Sequence, residues 1–60
     1  MVVEILLSLG KNIRELRKAK GWTQAQLASA ANITPEYISK IETGAKPASI
    51  MTLAKIAQVL

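Results

Sequence analysis

Residues Thr23 to Glu42, TQAQLASAANITPEYISKIE, hold two short apolar repeats separated by a gap with room only for a tight turn. In the first, Leu27, Ala28 and Ala31 recur at i, i+1 and i+4, one face of a helix, and Thr23 stands where an N-cap belongs. In the second, Ile38 and Ile41 recur at i, i+3. Thr34 is its cap candidate and Pro35 takes the first helical position, where a missing N–H costs nothing. Between the two, Asn32 is a residue type that tolerates a left-handed backbone, and Ile33 is expected to plug the turn. The spacing predicts helices over 24–31 and 35–43.

Two helices joined so tightly read as a helix-turn-helix, whose second helix can enter the DNA major groove. The residues around them extend the pattern. From Leu9 the chain runs LGKNIRELRKAKGWTQAQLASAANITPEYISKIETG. This resembles the phage-repressor and Cro-type helix-turn-helix family, with its "LG..IR.LR...G.TQ..LA" and "YIS.IE.G" patterns, and the resemblance runs on to Leu60. It implies an all-α, lambda-repressor-like bundle that binds double-stranded DNA as a transcriptional regulator or repressor. Two departures stand out. The family usually has glycine at the position of Asn32, and it usually carries a fifth helix, whereas this sequence stops at the end of the fourth.

The flanking segments supply the other two helices. At about 100° per residue, Val2, Ile5, Leu6, Leu9, Ile13 and Leu16 fall within about 100° of arc, which predicts a first helix over 3–20 with Gly10 tolerated at some cost. Val3 and Leu7 lie off that stripe and need separate cover. Lys11, Arg14 and Lys18 share another face, either a solvated one or one that meets a partner. Gly21 ends this helix, with Lys18 and Lys20 complementing its dipole, and Trp22 is expected as a wedge in the core. Gly44 closes the third helix. Ser49 caps a fourth over 50–60, with Ile50, Leu53, Ala54, Ile56, Ala57 and Leu60 on one face. The expected core is Leu9, Ile13, Leu16, Leu27, Ala28, Ile33, Ile38, Ile41, Leu53 and Ile56. Strand signals are absent, so residues 1–60 read as one four-helix domain.

Composition bounds the chemistry. The chain has no cysteine or histidine, which excludes disulfides and argues against zinc. Its only acids are Glu4, Glu15, Glu36 and Glu42 against eight Lys and Arg, and a net charge of +4 favours a polyanionic partner. No activated nucleophile or tuned acid–base pair is in view, and Gly10, Gly21 and Gly44 are too scattered for a phosphate loop. The expectation is a non-enzyme with no cofactor, metal or small-molecule substrate. No apolar run approaches the roughly 18 residues of a membrane span. The start MVVEILLSLG lacks the basic region and cleavage site of a signal peptide, so a cytoplasmic protein is expected.

The resemblance also assigns roles. Pro35, Glu36, Tyr37 and Lys40 match positions that commonly face bases, and Glu36 could accept from cytosine N4 while Lys40 donates to guanine or phosphate. Each has a plainer alternative: Glu36 can serve the helix dipole alone, Tyr37 can pack its ring, and Lys40 can simply be solvated. Gln24 matches a phosphate contact at the start of the second helix, with Thr23 beside it and Lys46 in the loop after the recognition helix. Glu42, a carboxylate at a helix C-terminus, needs a cation. Arg17 flanks the apolar stripe, and matching family positions often pair, so an Arg17–Glu42 ion pair is expected. One recognition helix covers few base pairs, so relatives commonly dimerise. A homodimer is therefore expected, through the fourth helix or the N-terminal extension. The competing reading is a protein-interaction module, an antitoxin or adaptor subunit that kept the fold. A basic amphipathic membrane-surface helix is a third, set against the periodicity of a packed bundle.

Overall fold

The computed structural model describes residues 2–60, which form α1 (Val2–Ala19), α2 (Gln24–Ala31), α3 (Pro35–Glu42) and α4 (Ile50–Val59); no strand occurs among them. The boundaries follow from local chemistry at both ends of the elements. Thr23, Thr34 and Ser49 are extended N-caps, each accepting the backbone N–H three residues on. At α2 the cap is reciprocal, because the Gln26 side chain accepts the Thr23 N–H at 2.8 Å. Three helices end in the same closing turn. The N–H of Trp22, Ile33 and Ala45 reaches back to the carbonyl of Arg17, Ala28 and Lys40. The intervening Gly21, Asn32 and Gly44 have φ of 74°, 57° and 78°. Asn32 thus does the work of a glycine in the turn between α2 and α3.

α1 packs on α3, and α2 packs on both α3 and α4. The core is one cluster of Ile13, Leu27, Ala28, Ala31, Ile38, Ile41 and Ile56, with Leu9, Trp22, Ile33, Tyr37 and Leu53 partly buried around it. Trp22 also lies under Lys20, whose ammonium is 4.6 Å from the ring centroid.

Three expectations need correction. The buried line of α1 is Gly10, Ile13 and Arg17, turned by about 60° from the centre of the apolar stripe. Leu16, expected in the core, is 55% exposed, and Val2 and Ile5 are exposed too. The reason is Gly10. A Cβ there would clash with the Ile41 carbonyl oxygen and come within 2.7 Å of that of Glu42. The missing side chain lets the backbones of α1 and α3 touch, so Gly10 is the contact point of two helices rather than a tolerated weakness. In α4, Thr52 is buried while Ile50, Ala54 and Ala57 face outward. The Ser49 hydroxyl donates to Thr52 Oγ1 at 2.9 Å, which satisfies the buried group and rolls that face inward. Leu7, off the stripe, packs on the backbone of Gly44, leaving Val3 exposed.

The displaced stripe is not wasted on solvent alone. Leu9, Ile13 and Leu16 line an apolar groove of about 410 Å³ with Leu53, Ile56, Ala57 and Leu60 of α4. No helix among the described residues is long and apolar enough to cross a membrane.

Candidate nucleic-acid interface

α3 is fastened at three places, and these determine what its free face can present. Ile38 and Ile41 are fully buried, which turns Glu36 and Lys40 outward. At its C-terminal end Glu42 accepts from Arg17 Nε at 2.7 Å and Nη2 at 3.0 Å, a two-pronged bond between side chains 9% and 3% exposed. Arg17 Nη1 donates to the Trp22 carbonyl at 2.7 Å, so one guanidinium ties α1, the loop before α2 and the end of α3. Burial would push the Glu42 carboxyl up. The hydrogen bonds from Arg17 and Gln24, with the fields of Arg17 and Arg14, outweigh it and hold the pKa below the ordinary carboxylate value. Among the described residues no buried polar side-chain atom lacks a partner.

The third fastening is Tyr37. Its ring is half-buried against the core, and its hydroxyl donates to the Pro47 carbonyl and accepts the Ser49 N–H, both at 3.4 Å. The neighbouring Thr52 hydroxyl, then Ser49 and the Lys46 charge, lower the phenol pKa. Tyr37 therefore spans from α3 to the loop that carries Lys46. That loop is also held by the N–H groups of Ala45 and Lys46 on the Lys40 carbonyl.

Of the residues singled out from sequence, the structure gathers Glu36, Tyr37, Lys40 and Lys46, with Thr34, around one open cleft of about 240 Å³. Pro35 is exposed at the adjacent N-terminus of α3. Gln24 and Thr23 sit elsewhere, at the start of α2. Gln24 Nε2 donates to Glu42 Oε1 at 3.0 Å, leaving one amide N–H unused. Thr23 Oγ1 accepts the Gln26 N–H, and its own hydroxyl hydrogen remains available. Sequence reasoning missed the tie between Gln24 and Glu42. It also missed the capping role of Gln26, although Thr-x-x-Gln before an apolar run is its signal. Among the described residues no group of three or more His, Cys, Asp or Glu side chains could hold a metal ion.

Comparison with known proteins places this geometry. The helix-turn-helix family profile matches residues 13–60. The HTH-type transcriptional regulator RamB of Mycobacterium tuberculosis is 35% identical over 51 residues, 85% of this chain and 11% of RamB. The immunity repressor protein of Bacillus phage phi105 is 35% identical over 54 residues, 90% of this chain and 38% of the repressor. This chain therefore spans well under half the length of both relatives. The crystal structure of the restriction-modification controller protein C.AhdI from Aeromonas hydrophila superposes with a TM-score of 0.90 at 33% identity, covering 92% of this chain and 83% of that one. With its profile, its relatives and its two capped helices in agreement, the chain belongs to the helix-turn-helix family.

Proposed function

We propose that this chain binds double-stranded DNA in a sequence-specific way and acts in transcriptional regulation, with α3 in the major groove. The observation that carries the reading is the division of α3. Its inner face is locked by Ile38, Ile41 and the Arg17–Glu42 pair, while Glu36 and Lys40 stand free beside Lys46 at one cleft. Side chains that read bases must be held by a rigid frame yet have unused hydrogen-bonding capacity.

In this reading Pro35, Glu36, Tyr37 and Lys40 face the bases. Glu36 accepts from cytosine N4 and Lys40 donates to guanine or a nearby phosphate. Tyr37 contributes its ring edge, because its hydroxyl is engaged by the loop. Thr23, Gln24 and Lys46 contact phosphates, the first two through the donors their caps and bonds leave unused. The chain acts as a homodimer. Val2, Val3, Ile5 and Leu7 on α1 and Ile50 and Met51 on α4 are all at least half exposed, a supply of apolar surface that supports self-association.

Retention on duplex DNA across a salt series tests the binding, and sedimentation of the free and DNA-bound chain tests the dimer. A chain that ignores duplex at low salt and stays monomeric at high concentration overturns both. DNA indifference with capture of another chain would favour an antitoxin-like or adaptor role.

A further inference from the structure

The fold leaves the apolar stripe of α1 without cover. Val2, Ile5 and Leu16 are 70%, 59% and 55% exposed, and Leu9 is half-buried. Leu9, Ile13 and Leu16 share the open groove with α4, while Val2 and Ile5 lie outside it. The first two turns of α1 stand ahead of residues 13–60, the helix-turn-helix stretch, and pass the end of α3 where Leu7 rests on Gly44. One helix thus carries a projecting apolar ridge and, further along the same face, an apolar groove.

The spacing fits the two halves to each other. Val2, Ile5, Leu9, Ile13 and Leu16 are separated by three, four, four and three residues, a run of intervals that is the same in both chain directions. Laid antiparallel on a second α1 with Leu9 against Leu9, the helix sets Val2 beside Leu16 and Ile5 beside Ile13. The two-fold axis sets the same pairs again on its other side. The ridge of each copy then enters the groove of the other, with Ile5 over Ile13 between α1 and α4. The bodies of the two copies fall at opposite ends of the helix pair, because α3 and α4 meet α1 from Leu7 onward. Glu4, Lys11, Arg14, Glu15 and Lys18 all lie at least about 120° round the helix from Leu9, so the pairing strands no charge. It also brings the positive N-terminal end of each α1 beside the negative C-terminal end of the other. A stripe that complements itself under a two-fold rotation selects a second copy of the chain.

We propose that two copies pair through antiparallel α1 helices, each seating Val2 and Ile5 in the α1–α4 groove of the other. The proposal rests on the homodimer reading and deepens it, placing the contact on the α1 stripe and the groove. Met51, about 160° round α4 from Leu53, takes no part.

The test begins with sedimentation equilibrium of wild type, Ile5→Glu and Met51→Glu. Both replaced side chains are more than half exposed, so both variants should keep wild-type helix content by circular dichroism. Ile5→Glu should weaken the dimer by at least about tenfold, since two isoleucines per dimer lose burial and two charges gain it. Met51→Glu should leave the dissociation constant unchanged. Val2→Lys and Leu16→Glu should each weaken the dimer alone, yet their equimolar mixture should associate more tightly than either, because antiparallel pairing sets the lysine of one beside the glutamate of the other. Leu9→Cys, in a chain without other cysteines, should cross-link between copies under mild oxidation. If wild type is a dimer that Ile5→Glu does not weaken, or the mixture is no tighter than its components, the α1 pairing is wrong and the homodimer reading stands. A wild type that is monomeric at high concentration overturns both. A monomer that sediments with anionic phospholipid vesicles overturns the pairing in favour of a membrane surface.

Discussion

Replacing Glu42 with leucine should nearly unfold the protein, and replacing Arg17 with methionine as well should rescue it. The single change strands Arg17 Nε and Nη2 and one Gln24 N–H, around a guanidinium whose side chain is only 9% exposed. Breaking a buried pair on one side costs about 3–5 kcal/mol. At about 0.05–0.15 kcal/mol per residue, a chain of this length has roughly 3–9 kcal/mol to lose. The double variant buries no unpaired charge and fills similar volume, and such exchanges are often neutral. It should recover most of the loss, giving a coupling of at least about 2 kcal/mol, against the 0.3–0.5 kcal/mol scatter of independent sites. Urea titration followed by the fluorescence of Trp22, the sole tryptophan, measures all four corners of the cycle. Additive single changes would refute the claim that this pair fastens α3 to α1.

The remaining predictions concern the same frame. Because the folded-state pKa of Glu42 is lowered, its contribution is present above the ordinary carboxylate range and lost as pH falls through the folded value. Stability of wild type measured from neutral pH downward should therefore drop more steeply than that of Glu42→Gln. Gly10→Ala gains about 1 kcal/mol of helix propensity yet should be destabilising by about 1–3 kcal/mol, since α1 and α3 must separate; denaturant midpoints decide the sign. Leu27→Ala should cost about 2–5 kcal/mol, whereas Leu16→Ala should cost well under 1 kcal/mol in the same titration. Tyr37→Phe should cost no more than about 1 kcal/mol, as its two hydroxyl bonds are long, and its melt should remain cooperative.

The helix ends were legible in the sequence because caps and closing turns are local chemistry. Thr23, Thr34, Ser49, Gly21, Asn32 and Gly44 each act within a few residues of themselves. The facing of α1 was not legible, since hydropathy sees six apolar residues and cannot see that a glycine and an arginine make the contact. Thr52 escaped for the same reason, being a polar residue buried through one hydroxyl partner. The candidate site divides likewise. Glu36 and Lys40 follow from their offset to Ile38 and Ile41, which periodicity alone gives. The placing of Gln24 against Glu42 needs three elements to meet. No window along the chain contains that information.

The measurement that bears most directly on the reading is base preference. Wild type, Glu36→Ala, Tyr37→Phe, Lys40→Ala and Lys46→Ala would each be titrated against every single-base variant of a selected duplex at fixed salt. Glu36→Ala and Lys40→Ala should each relax preference at one or two base pairs per half-site, by about 1–3 kcal/mol, and leave the remaining positions unchanged. Tyr37→Phe keeps the ring edge and should keep the preferences. Lys46→Ala should weaken every duplex alike and flatten the salt slope by about one unit. Should Glu36→Ala and Lys40→Ala both retain the full wild-type preferences, α3 does not read sequence and the central claim fails.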